Sequence, residues 1–173
     1  MDRIDMSKRI VIGREVPDGT YIGKLRGMRV YLEGSVGDDI ICVRTYLDKV
    51  YPGGKYQPVA DLNLSKDYCD GAYHVDLMRV DHRFQGHGLA PLLYRYVLRK
   101  LGIVLQAGKY QSAGGRKLWA QLAKMKDVTV FACYRRGKEA LVIDDLDQDD
   151  EELHHESVKL YDGRTIYTFA VAA

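Results

Sequence analysis

Between Tyr73 and Ala90 the chain gathers the residues best suited to chemistry: His74, Asp76 and a loop with glycines at 86 and 88. The loop lies between Tyr73–Val80, which reads as a strand, and a segment with Pro91 in its first turn, which reads as a helix. A strand that passes through glycines into a helix aims unpaired backbone N–H groups and the positive end of a helix dipole at one spot, and such a spot holds an anion. Glycine lets the backbone approach a phosphate closely and adopt positive φ, although Gly-x-Gly alone also fits a plain tight turn. His74 carries an imidazole, whose ordinary pKa of about 6.5 suits a base near neutrality. Asp76, two residues on, shares its face in an unbulged strand. The two could act together, with Asp76 orienting the ring or serving as base through a water. The plainer reading makes them polar residues on a solvated strand face.

These groups need a scaffold that fixes a strand end, a loop and a helix start. Tyr21–Leu25, Met28–Leu32, Ile40–Tyr46 and Tyr56–Leu64 are rich in β-branched and aromatic residues and read as strands. Gly34–Asp39 supplies a hairpin turn, Tyr51-Pro52-Gly53-Gly54 a break and Asp67–Gly71 a loop, and Pro58 weakens the fourth strand. After the glycine loop, Leu89, Leu92, Leu93, Tyr96 and Val97 recur at three and four residues, one helical stripe. Arg95, Arg99 and Lys100 crowd the end of that helix, where the dipole favours cations, and Gly102 stops it. Ile103–Ala107 reads as a short strand. Ser112 can cap a second helix whose buried face is Leu118, Leu122 and Met125. Val128–Tyr134 and Thr165–Val171 complete the strands. The expected fold is α/β of the α+β kind: a mixed, mostly antiparallel sheet with flanking helices, in one domain over residues 1–173.

Composition narrows the function classes. No apolar run approaches the roughly 18 residues of a membrane span, and Met1–Ile10 is charged rather than signal-like. The expectation is a cytoplasmic protein without a membrane partner. Cys42, Cys69 and Cys133 are scattered, which fits free thiols better than disulfides or a zinc site. Residues 141–173 hold nine acids against Lys159 and Arg164, so the body before them is basic within a net charge of +2. A basic body suits a phosphate-rich ligand, but the balance is too mild for a dedicated nucleic-acid binder. Asp145, Asp147, Asp149 and Glu156 imitate calcium-loop spacing, yet Asp150 stands where that loop needs glycine. A solvated loop is the expectation there, with no metal, and its acids would attract a cationic partner.

The segment Val80-Asp-His-Arg-Phe-Gln-Gly-His-Gly-Leu-Ala90 resembles the GNAT superfamily of acyl-CoA N-acyltransferases. That family's pyrophosphate loop reads Gln/Arg-x-x-Gly-x-Gly/Ala after a strand with a hydrophobic end. Downstream, Ser112, Gly115 and Leu118-Trp119 resemble the family's Asn, small residue and Leu-Tyr. The likeness runs from about Tyr73 to Ala132, and by strand order alone outside that. It implies a splay at the cofactor strand and acetyl-CoA as the acyl donor. It further implies that backbone amides of Gln85, Gly86, His87, Gly88, Leu89 and Ala90 hold the pyrophosphate. Met78 and Val80 would pair with the pantetheine arm as a pseudo-strand, and Ser112 would bond the cofactor or simply cap its helix. His74 falls where lysine-modifying members carry a basic Glu, six residues before Val80.

Two departures bear on function. Trp119 stands where the family's acidic tyrosine does, and indole has no useful acidity; Tyr110, Tyr73 or water would have to protonate the thiolate. Residues 1–55 show no helix pair to wall an acceptor pocket, which slightly favours a macromolecular acceptor. The resemblance therefore implies an N-acyltransferase acting on a primary amine of a small molecule, or on a protein lysine or N-terminus, and is compatible with a homodimer. The alternative is a catalytically inactive GNAT-like binding module that acts through a protein partner.

Overall fold

Strand-forming runs dominate both ends of the chain and two helices interrupt them. The computed structural model describes residues 17–51, 55–66, 72–107, 112–134, 140–141, 159–161 and 164–173. The acidic stretch 144–156 with its calcium-like spacing, Cys69, Tyr110, and the expected breaks at 52–54 and 67–71 lie outside them. In chain order the elements are β1 (Thr20–Leu25), β2 (Met28–Glu33), β3 (Ile40–Tyr51), β4 (Lys55–Lys66), β5 (Ala72–Val80), α1 (Leu89–Leu101), β6 (Val104–Gln106), α2 (Ala113–Ala123), β7 (Val128–Tyr134), β8 (Ala140–Leu141), β9 (Lys159–Tyr161) and β10 (Arg164–Ala172). The strands form one sheet in the order β1-β2-β3-β4-β5-β6-β10-β7-β8, with β9 on β10. Only the β5–β6 pair is parallel. This is the mixed, mostly antiparallel sheet with flanking helices that the sequence implies.

Alternation gives the sheet its inner face: β2 buries Met28, Val30 and Leu32 and leaves the residues between them more exposed. Val43, Leu62, Leu64 and Leu105 continue that core across the strands. A fully buried Leu is worth about 1.5–3 kcal/mol over an exposed one. Helix α1 closes the core with Leu89, Leu93 and Val97, as its periodicity requires, but also with Pro91, Tyr94 and Leu98. Leu92 and Tyr96, placed on the same stripe by the sequence, are only half-buried. The cause is that α1 packs on β5 and β10 and also touches β1 and α2, so its apolar face is wider than one stripe. Pro58 is tolerated inside β4 because it sits opposite Tyr46, where the β3–β4 register is already irregular. Among the described residues no helix is long and apolar enough to cross a membrane.

Strand β5 positions the site. It pairs with β4 along its length but with β6 only through Ala72, Tyr73 and His74. From Val75 onward its other edge has no strand partner among the described residues, which is the splay. The β4 register passes from Asn63↔Leu77 to Leu64↔Val75, so Asp76 is the extra residue of a β-bulge.

The β1–β2 hairpin is tied to α1 by Tyr96, whose hydroxyl donates to the Ile22 carbonyl at 2.9 Å. Gly23 makes the approach feasible: its φ is +137°, and a Cβ there would lie 2.4 Å from the Tyr96 hydroxyl. Gly23→Ala should therefore cost about 1–3 kcal/mol through strain and a displaced ring. Denaturant melts of Gly23→Ala and of the double variant with Tyr96→Phe check this; equal stability of Gly23→Ala and wild type would show that the hairpin is not held here.

Candidate functional site

The segment after β5 is built by its own side chains. Asp81 caps a short 3-10 turn, His82–Phe84, by accepting from the Arg83 amide at 3.0 Å. It also accepts from the Arg83 guanidinium at 2.8 and 2.7 Å. That guanidinium holds the Asp81 carboxyl well below the usual carboxylate range. Gln85 Nε2 donates to the Val80 carbonyl at 2.9 Å, and His87 Nδ1 sits 2.9 Å from the Gln85 carbonyl, so the loop folds back on the end of its strand. Gly86 and Gly88 have φ of +78° and +69°, and a Cβ on either would meet nothing within 4 Å. The loop is thus closely folded yet open on the side where a ligand's phosphates would lie. Gly88 is the N-cap of α1 with no side-chain cap bond, which leaves the first helical amides for a ligand or water.

A cleft of about 330 Å³ opens beside this loop, between β5 and the two helices. Of the residues singled out from sequence, Asp76, Met78, Val80, Gln85, Ala90 and Ser112 line it together, with Trp119. Gly86, His87, Gly88 and Leu89 lie between two lining residues in the chain. Val75 and Met78 both line it although they are three apart, which only the bulge at Asp76 permits. Ser112 caps α2, accepting from the Gly115 amide at 3.1 Å. Trp119 is buried and meets Tyr94 edge-on, with centroids 6.1 Å apart.

His74 is not among the lining residues. Its Nδ1 lies 3.0 Å from Asp76 Oδ1, and the Ser65 hydroxyl donates to the same oxygen at 3.0 Å. The pair inferred from sequence is therefore in contact despite the bulge, with Asp76 at the cleft and His74 behind it. An Asp76-bound Nδ1–H leaves Nε2 as the lone-pair nitrogen of the neutral ring.

Sequence reasoning missed two residues. Tyr94, on α1, lines the cleft; its helical offset from Leu93 and Val97 concealed that. Arg26 lies in the two-residue turn between β1 and β2, and its Nη1 donates to the His87 carbonyl at 3.0 Å. Its φ of +48° makes it the one non-glycine with positive φ among the described residues. An arginine next to Gly27, in a turn that favours Asn, Asp or Gly, was the available signal.

No family model matches the chain, and no curated protein matches it. Among solved structures the chain is similar to an IAA acetyltransferase from Bacillus cereus ATCC 14579, at 14% identity and a TM-score of 0.39, over 78% of this chain and 79% of that one. It is also similar to a protein from Bacteroides thetaiotaomicron described as a GNAT-family acetyltransferase. There the identity is 8% and the TM-score 0.39, over 79% of this chain and 63% of that one. At so low a score and identity, function has to be judged from the site itself.

The Asp81–Arg83 clasp carries a pH signature. Its carboxyl is depressed on folding, so the stability it contributes is present above its unfolded value of about 3.9 and lost as pH falls through the folded value. Between pH 5 and pH 3 the wild-type melting temperature should fall more steeply than that of Asp81→Asn. Parallel curves would mean that the clasp does not hold the loop.

Proposed function

We propose that this protein transfers an acyl group, most simply acetyl, from acyl-CoA to a primary amine. The observation that carries this reading is the free edge of β5 beside the glycine loop. From Val75 to Val80 the backbone offers N–H and C=O groups with no strand partner on one side. A pantetheine arm is an extended diamide that can pair with such an edge as a strand would, here through Met78 and Val80. At the end of that edge, the amides of Gln85–Ala90 and the start of α1 suit a diphosphate, and Ser112 lies across the cleft. Arg26 adds a guanidinium that no carboxylate among the described residues engages. The reaction needs a base for the amine's proton and a donor for the departing sulfur. In this reading Asp76 takes the first role at the cleft, with His74 and Ser65 holding its carboxylate, or passing the proton on through the ring. The acceptor class is a small polyamine, an aminoglycoside, or a lysine or N-terminal amine of a protein.

Acetyl-CoA should raise the melting temperature, since a ligand that binds only the folded state stabilises it. Arg26→Asn should weaken that binding while leaving the protein as stable as wild type or more so, because Asn accepts positive φ more readily. No thermal or calorimetric response to millimolar acetyl-CoA would sink the assignment.

The roles of the pair separate by substitution. Asp76→Asn should lower turnover by about 10²- to 10⁴-fold, the usual contribution of a positioned base, with little change in acetyl-CoA affinity. His74→Ala should lower turnover as well, and by no more than Asp76→Asn does. The readout is free-thiol release with a panel of polyamines, aminoglycosides and lysine peptides. Should CoA bind while no acceptor ever accelerates thiol release, the inactive binding module is the better account.

A further inference from the structure

Tyr94 is the lining residue whose polar group is buried and unanswered by the protein. The residue is 3% exposed and lies against the cleft. Its ring stands at 90° to Trp119, and its hydroxyl has no hydrogen bond among the described residues. A buried phenol ordinarily finds a partner, and one left without destabilises the fold. The cleft is the side from which a partner can come. Burial also pushes the phenol well above the ordinary tyrosine range, so it keeps its proton at neutral pH.

Acyl transfer from a thioester requires a proton for sulfur, and the other polar groups of the cleft are committed. Gln85 Nε2 donates to Val80, the Ser112 hydroxyl caps α2, and Asp76 is held by Ser65 and His74. The Trp119 indole is too weak an acid. We propose that Tyr94 is the proton donor to the departing thiol of acyl-CoA, which deepens the acyltransferase reading and rests on it. The amine nitrogen bonds to the thioester carbon and the carbonyl pair moves to oxygen. As the carbonyl re-forms, the C–S bond breaks with its electron pair on sulfur. The Tyr94 proton passes to that sulfur, giving the free thiol. The proton lost by the amine goes to Asp76 and on to solvent, and the phenolate regains one from solvent. A phenol with a raised pKa can do this because the same dry cleft raises the thiol as well.

Tyr94→Phe tests the assignment without a known acceptor. In the binary complex with CoA, the ultraviolet absorbance of the thiolate reports ionisation of the bound thiol. A hydrogen bond from Tyr94 favours the charged form, so the thiol should ionise about one pH unit lower in wild type than in the variant. With any working amine, turnover should fall by about 10²-fold or more with acetyl-CoA affinity unchanged within about threefold. The variant should melt no lower than wild type, since it loses a hydroxyl that bonds nothing in the protein. Identical thiol ionisation in the two proteins overturns the role of Tyr94 and leaves the acyltransferase reading standing. Failure of wild type to bind CoA overturns both.

Discussion

Past His74, the backbone of β5 is hydrogen-bonded on one side only, and the rest of the site follows from that. Buried N–H and C=O groups must be paired or wetted, so an edge opened inside a ten-stranded sheet creates a demand that solvent or a ligand must meet. Elsewhere the sheet leaves its edges at β1 and β8, at the periphery. Here the gap lies near the middle, where β6 stops at Gln106 and α2 comes across with Ser112 and Trp119. The parallel β5–β6 step needs a crossover, and α1 is that crossover. The same topology that opens the gap therefore delivers a helix N-terminus to its end.

Charge is arranged to leave that end electropositive. On the solvent face of the sheet Asp48 pairs with Lys24 and Arg29, Arg44 with Glu33, and Arg79 with Asp61. Such exposed pairs contribute little each, but they leave few cations uncommitted. At the far end of α1, Asp127 gathers Arg95 and Arg99. Near the loop, Asp81 occupies Arg83, which leaves Arg26, brought from a hairpin 61 residues away in sequence, as the group bearing on an anion there.

Much of this could be read in the residues. The strand of the site, the glycine loop, both helices and β7 sit where composition and periodicity put them, because each is specified locally. Strands β3 and β4 run longer than expected, since pairing between them carries Leu47–Tyr51 and Lys55 into the ladder beyond the obvious β-formers. The bulge could not be read: the alternation in Tyr73–Val80 looked merely imperfect, and only the β4 register reveals the extra residue. Arg26 and Tyr94 were concealed for a related reason. Each belongs to the site through contacts across the fold, not through spacing within its own element.

The bulge has a consequence for how this strand can change over generations. Facing in a strand is a matter of odd and even, and Asp76 is the single residue that resets the count, so that Tyr73 and Val75 before it share a side with Met78 and Val80 after it. Loss of one residue between Val75 and Leu77 would exchange the two sides of everything beyond. Arg79 would turn toward the core, and Met78 and Val80 would turn away from the cleft. Length variation in β5 is thus confined to pairs of residues, or to changes that carry a compensating bulge with them, whereas the hairpin turns elsewhere can gain or lose residues singly.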